Sequence, residues 1–261
     1  MHREFAITNR RIIEQYFEKI NYDSQLLLDI CLHDAVGQHQ NNTKWPHSIL
    51  GFSKYKEDTT NALIPDLYAM QNYRGMLDAN LSDNLSTMKK LNRLLFIGAS
   101  SGPANTELNP RIQLCRYAKT KPWIDAYISS IVNFDTETAD TFTDVMHKPM
   151  SIPEQQTYRH LVVIDGNTVC WDRLPWILAS QSVCWLHDTT DECWYYHFLK
   201  PWVHYIPFNL ENLEETWNKV KDDNGLILKI VANANEFVQD YLSERGHGLY
   251  CLSLLEGVEV N

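Results

Sequence analysis

The sequence predicts an α/β protein with a parallel sheet. Two apolar strands, at residues 161–164 and 182–186, are separated by a stretch in which Arg173 opens a helix. A third apolar segment, at residues 93–97, runs into a loop rich in glycine and serine. Strands that alternate with helices at this spacing form parallel sheets, which bind ligands at the carboxyl ends of their strands. A ligand site is therefore expected at the edge where these strands end.

The other elements follow from hydrophobic periodicity and turn residues. In chain order, they are two helices within 8–38, an irregular stretch at 41–83, a helix at 111–119, a strand at 126–132, a polar excursion at 135–154, and amphipathic helices at 210–221 and 226–242.

Composition and charge narrow the functional classes. The chain has 261 residues, 44% of them hydrophobic, and a formal net charge of −10. That charge argues against nucleic acid as a partner. No run approaches the ~20 apolar residues of a membrane span, and the charged amino terminus lacks the apolar core of a signal peptide. The six cysteines have no framework spacing and predict free thiols. We therefore expect a cytoplasmic protein.

Two segments resemble glycosyltransferase family 90, which includes Rumi-type protein O-glucosyltransferases, fungal capsule xylosyltransferases and bacterial lipopolysaccharide-modifying enzymes. The first segment, 158–207, contains the Val-Ile-Asp-Gly turn that ends at Gly166, then Arg173-Leu174 and the nine residues Leu-Lys-Pro-Trp-Val-His-Tyr-Ile-Pro. The second begins at Phe96 and resembles the family's phosphate loop, with Asn-Pro-Arg at 109–111 after it.

The resemblance implies a GT-B-like fold, in which two Rossmann-type halves face a cleft. It implies an acceptor-side domain at 1–90, a nucleotide-sugar-binding domain at 91–245 and a tail at 246–261 that returns to the first half. The expected activity is inverting transfer of glucose or xylose from a UDP-sugar to a hydroxyl of a glycan or protein, without a tightly bound metal or other cofactor. The alternative is a catalytically idle protein that binds a UDP-sugar or glycan.

The phosphate loop and Arg173 are the main candidates for donor binding. Backbone N–H groups and hydroxyls at a strand-to-helix turn can hold phosphate, and a guanidinium stabilises the charge on a nucleotide leaving group. The alternatives are a plain connection for the loop and an ordinary helix-start arginine, paired with Asp172 or Asp188, for Arg173. Ile97 stands where the family usually has an arginine. The residues predicted to bind the UDP-sugar are Gly98, Ala99, Ser100, Ser101, Arg111, Asp165, Gly166, Asp188 and Glu192.

Carboxylates are the candidates for the remaining roles. Glu192 is expected near the ribose hydroxyls, against the alternative of a solvated loop charge. Inverting transfer needs a base for the acceptor hydroxyl. The family's Asn-x-Arg-Asp-type motif aligns with residues 72–75, which puts Gly75 at the base position. Asp78 is therefore predicted as the catalytic base, with Asp66 as the alternative. No metal site is predicted, since the Cys and His spacings fit no zinc motif.

Overall fold

The structure, a computed structural model, describes residues 2–20, 30–32, 49–81 and 85–257. The second helix predicted within 8–38 lies largely outside these ranges. The helices are α1 (His2–Lys19), α2 (Leu67–Met70), α3 (Met76–Leu81), α4 (Pro110–Ala118), α5 (Thr136–Asp140), α6 (Ile152–Gln155), α7 (Arg173–Ala179), α8 (Leu213–Val220), α9 (Asn224–Phe237) and α10 (Glu244–Leu255). The strands are β1 (Leu50–Gly51), β2 (Ser53–Tyr55), β3 (Ala62–Leu63), β4 (Leu91–Ala99), β5 (Ile124–Ser130), β6 (Tyr158–Val163), β7 (Val183–His187), β8 (Asp191–Cys193) and β9 (Ile206–Phe208).

The chain divides into two compact units, each built from separate segments. The first unit comprises residues 1–76, 190–198 and 237–261, and the second comprises 77–189 and 199–236. These limits differ from the continuous domains predicted from the sequence, because the chain leaves the second unit after Thr189 and returns to it at Leu199.

The second unit is built on a five-stranded sheet in the order β5-β4-β6-β7-β9. Every neighbouring pair in this sheet is parallel. The three strands that hydrophobicity predicts most clearly are β4, β6 and β7, and each contains a run of buried apolar residues. The predicted α/β class with a parallel sheet is therefore confirmed.

Aromatic side chains fill the core of the second unit on the face covered by α8. Trp123 and Trp217 stack with ring centroids 5.1 Å apart, and Trp217 also contacts the rings of His160 and Trp185. Trp185 is completely buried and contacts Phe208 of β9. These three tryptophans therefore contribute to the packing of the core against the sheet.

The first unit, among its described residues, has only short strand pairs. β1 pairs with β3 in parallel, and β2 pairs with β8 in antiparallel register. Its core joins α1 to α10, where the Tyr16 hydroxyl donates to the carbonyl of His247 at 3.0 Å. No helix in the described part of the chain is long and apolar enough to cross a membrane.

Candidate functional site

The strand order of the second unit creates a switch point between β4 and β6. From β4 the chain crosses to β5 on one side, and it then returns to form β6 on the other side of β4. Loops diverge at such a point, and the crevice that they leave at the carboxyl ends of the strands is where open α/β sheets bind ligands. The loop at 98–102 follows β4 and the turn at 164–168 follows β6, so both segments predicted from the sequence meet at this edge.

Arg111 joins the two loops. Its Nη1 donates to the carbonyl of Ala99 at 3.0 Å and to the Ser101 hydroxyl at 2.7 Å. Its Nη2 donates to the carbonyl of Ile164 at 2.7 Å, and its Nε lies 3.1 Å from the carbonyls of Ile164 and Asp165. The guanidinium thus bridges the carboxyl ends of β4 and β6. Because these contacts use its donors, the observed geometry gives Arg111 a bracing role, and direct donor contact stays a prediction.

Asn109 holds the loop from its other end. Its side chain caps α4 by accepting from the backbone N–H groups of Arg111 and Ile112, at 3.1 and 3.2 Å. Its amide nitrogen donates to the carbonyl of Ser100 at 2.9 Å. Ser100 is itself buried, and its hydroxyl bonds to the backbone of Val132. The first turn of α4 is therefore capped from within the chain, and Ser100 is structural in this conformation.

Two glycines are required by the close approach of these loops. Gly102 has a φ of +121°, which L side chains rarely adopt. At Gly166, an added Cβ would lie 2.5 Å from the Ser101 hydroxyl and 3.1 Å from Nη2 of Arg111. The sequence identified Gly166 as a turn residue; the structure shows that it also leaves room for the Arg111 guanidinium.

Asp165 anchors the turn after β6. One of its carboxylate oxygens accepts from the backbone N–H of Cys170 at 3.1 Å, and the other accepts from the hydroxyl of Thr189. Asp188, next to Thr189, is exposed at the end of β7 and its N–H bonds to the carbonyl of Phe208. The structure therefore brings Asp165 and Asp188 to the edge that holds the two loops.

Arg173 is partly buried on the face of the sheet that carries Phe96. Its Nε donates to the carbonyl of Val162 at 3.0 Å and its Nη1 to the side chain of Gln155 at 2.9 Å. Its Nη2 is buried and has no hydrogen-bond partner among the described residues. The guanidiniums of Arg173 and Arg111 lie 5.7 and 5.9 Å from the Phe96 ring centroid. Burial lowers the pKa of Arg173 to about 10, and the positive charge of Arg111 acts in the same direction.

The alternative considered for Arg173, an ion pair with Asp172 or Asp188, is not seen in the described residues. Among the described residues, no carboxylate oxygen lies within 4 Å of its guanidinium. Arg111, which is buried, and Arg173, which is partly buried, thus both lie beside the Phe96 ring and have neutral hydrogen-bond partners. Such an arrangement is unfavourable without an anion, and it marks the region as a candidate anion site.

Glu192 lies in the other unit. It belongs to β8, and its carboxylate is 3.7 Å from Nζ of Lys54 on β2. The structure therefore does not group Glu192 with the donor-binding candidates of the second unit, and it gives this residue an ion-pair partner. Its predicted contact with the ribose stays untested.

The two candidate bases have different environments. Asp66 is buried and caps α2, accepting from the N–H groups of Tyr68 and Ala69 at 2.8 and 3.2 Å. Asp78 is exposed in the first turn of α3. The motif that aligns with the family's base, Asn72–Gly75, has four consecutive positive φ values of 50°, 45°, 53° and 72°. Asp66 is thus a structural cap here, and the role of Asp78 stays a prediction.

Sequence reasoning missed several side chains that shape the site. Asn109 precedes Pro110, and an Asn at the N-cap with Pro at the first helical position is a helix-start signal that could have identified its role. Gln155 and Thr189 carried no comparable signal, because their partners are distant in sequence. Within the described ranges, no three His, Cys, Asp or Glu side chains are grouped so that they could hold a metal.

The parallel sheet and the loops joined across its switch point place this protein among the open-sheet α/β proteins. Proteins of this class bind ligands at the carboxyl ends of their strands. Within that class, residues 104–257 match the profile of glycosyl transferase family 90. This match covers more than half of the chain, and the chain belongs to that family.

The chain is also similar to individual proteins over part of its length. The chain is 31% identical to Protein O-glucosyltransferase 2 of Danio rerio, over 62% of this chain and 31% of that protein. It is 26% identical to Protein O-glucosyltransferase 3 of Homo sapiens, over 74% of this chain and 36% of that protein. The crystal structure of TarM is similar to this chain with a TM-score of 0.45 and 11% sequence identity. The similarity covers 67% of this chain and 35% of the TarM chain. The chain thus spans about a third of the length of these curated relatives.

Proposed function

We propose that this protein is a glycosyltransferase that moves glucose or xylose from a UDP-sugar to a hydroxyl of a glycan or protein, with inversion. Membership of family 90 and the similarity to proteins named O-glucosyltransferases support the reaction class. The observation that carries the proposal is Arg111, which braces the ends of β4 and β6 into one surface at the switch point of the sheet.

The loops at 98–102 and 164–168 would receive the diphosphate. The Ser101 oxygen accepts a hydrogen bond from Arg111, so its own hydroxyl hydrogen is available to a phosphate oxygen. Arg173 and Arg111 would supply positive charge as the nucleotide leaves, and fixed charges in a poorly solvated site act most strongly on such a developing charge. Asp78 would take the acceptor proton.

This mechanism operates without a metal. The sequence has no Asp-x-Asp triplet to hold a divalent cation between phosphates, and two arginines can replace the charge. The donor set therefore consists of backbone N–H groups, hydroxyls and guanidiniums.

The test is a thermal-shift titration with UDP in EDTA, followed by UDP-release assays with UDP-glucose, UDP-xylose and matched ADP- and GDP-sugars. UDP should raise the melting temperature in EDTA, and a UDP-sugar should be turned over. Stabilisation only with manganese or magnesium would contradict the metal-free mechanism. UDP binding without turnover of any donor and acceptor pair would favour the idle binding protein, which Gly75 and Ile97 at family positions also favour.

A further inference from the structure

Gln155 is an uncharged hydrogen-bond partner of the partly buried Arg173. It ends α6, is only 7% exposed, and accepts from Nη1 of Arg173 at 2.9 Å through its side-chain oxygen. Its side-chain nitrogen donates to the carbonyl of Met150 at 3.0 Å. These two contacts determine the orientation of the amide, because the reverse orientation would place its NH₂ against the guanidinium and its oxygen against the carbonyl.

No carboxylate of the described residues forms an ion pair with Arg173. The other protein contact of the guanidinium is the carbonyl of Val162, and its two ring neighbours, Phe96 and Trp176, lie 5.7 Å away. In the ranges that the structure describes, the ion pairs do not include Arg173. Buried charges are usually paired with an opposite charge. The residue best placed to supply one is residue 155, where glutamate would have nearly the same size and shape as glutamine.

We propose that Gln155 is a positioning residue that fixes Arg173 through a neutral hydrogen bond and keeps its positive charge available to a diphosphate-bearing ligand at the loops 98–102 and 164–168. This inference rests on the proposed function, since it assigns the ligand of the same site. Specificity for an anion then depends on a residue that lies outside both loops.

The physical basis is that electrostatic interactions stay strong over several ångströms in a poorly solvated site. At an effective dielectric constant near 20, a full charge several ångströms away changes binding of an anion by roughly tenfold or more. A glutamate at position 155 would cancel the field of Arg173 and repel the ligand. An alanine would remove the hydrogen bond and leave the charge.

The experiment compares Gln155→Glu with Gln155→Ala by calorimetric titration of UDP and of inorganic pyrophosphate, with melting temperatures measured in parallel. Gln155→Glu should bind both anions about tenfold more weakly or worse, with a melting temperature equal to or above that of the wild type. Gln155→Ala should weaken binding by only about threefold, because the charge of Arg173 remains but its position is no longer fixed, and its melting temperature should fall. Arg173→Gln should lose affinity as Gln155→Glu does, which keeps the test decisive if the glutamate variant fails to fold.

Two outcomes overturn the inference. One is wild-type affinity in Gln155→Glu, and the other is an equal loss in the glutamate and alanine variants, which would indicate packing alone. If the wild type binds pyrophosphate but turns over no UDP-sugar, the proposed function fails while the variants still decide the role of Gln155. If it binds neither anion, both are wrong.

Discussion

The indole Nε1–H of Trp185 donates a hydrogen bond of 3.1 Å to Nδ1 of His160. Nε2 of His160 lies 2.9 Å from the side-chain oxygen of Asn92, so this nitrogen carries the proton of a neutral imidazole. His160 is completely buried. Burial, with a further effect of the nearby Arg159, lowers its pKa to about 3.

This network predicts loss of stability in acid. Between pH 6.5 and about 3 the unfolded chain protonates His160 and the folded chain does not, so the free energy of unfolding falls as the pH falls. The slope from this residue approaches about 1.4 kcal/mol per pH unit. Denaturant titrations at pH 7, 6 and 5 measure it, and His160→Gln should show a shallower dependence. Identical slopes in the two proteins would contradict the prediction.

Gly166→Ala should disturb the brace at the switch point. The new methyl group would meet the Ser101 hydroxyl and Arg111, and the overpacking should lower the free energy of unfolding by about 1–3 kcal/mol. UDP affinity should fall because the two loops separate. The matched control is Gly225→Ala on α9, where the nearest atom to the new Cβ is 3.6 Å away. A Gly166→Ala protein as stable as this control would show that the loops yield without strain.

Substitutions at Asp66 and Asp78 distinguish the roles of the two carboxylates. Asp66→Ala removes the cap of α2 and should lower the free energy of unfolding by about 0.5–2 kcal/mol. Asp78→Asn keeps the shape and removes basicity, so sugar transfer should be lost while UDP binding is kept. UDP release with acceptor present measures sugar transfer, and UDP titration measures binding. If Asp78→Asn transfers at a near wild-type rate and Asp66→Asn is inactive, the assignment of the base is reversed.

Two buried tyrosines of the first unit should respond in opposite ways to the same substitution. The Tyr16 hydroxyl is 3.0 Å from Nδ1 of His247, so Tyr16→Phe should lower the free energy of unfolding by about 1 kcal/mol. The Tyr73 hydroxyl is buried and has no hydrogen-bond partner in the part of the chain that the structure describes, so Tyr73→Phe should be neutral or stabilising. Thermal unfolding of the two variants provides the comparison. A loss in Tyr73→Phe equal to that in Tyr16→Phe would mean that the phenol is hydrogen-bonded in solution.

The sheet was predictable from sequence where its strands are long and apolar. β4, β6 and β7 each contain a run of three or more buried apolar residues, which the hydrophobic pattern of the sequence reveals. β9 has only three residues, one of them Pro207, and its membership depends on pairing with β7. The predicted tail at 246–261 overlaps α10, a helix that contains two glycines. At one of them, Gly246, an added Cβ would lie 2.4 Å from the carbonyl of Asp240, so that glycine allows close packing.

The site was predictable as a set of loops but not as a network. Sequence patterns located the loop after β4 and the turn after β6, because glycine and serine mark strand-to-helix turns. They could not show that Arg111 reaches a carbonyl 53 residues away, or that Gln155 holds Arg173. Glu192 was grouped with the donor site by motif alone, whereas its strand pairs in the first unit. Contacts between distant segments depend on tertiary structure, which local pattern does not encode.

The interleaving of the two units also imposes an order on biosynthesis. Tyr16 and His247, which bond in the first unit, are 231 residues apart in sequence. At a ribosomal rate of 5–20 residues per second, α1 must wait about 10–50 s for its partner helix to be synthesised. The second unit closes earlier, once Glu236 has emerged. Until α10 has been synthesised, the apolar face of α1 is exposed on the nascent chain. This helix is therefore where a chaperone would be needed first.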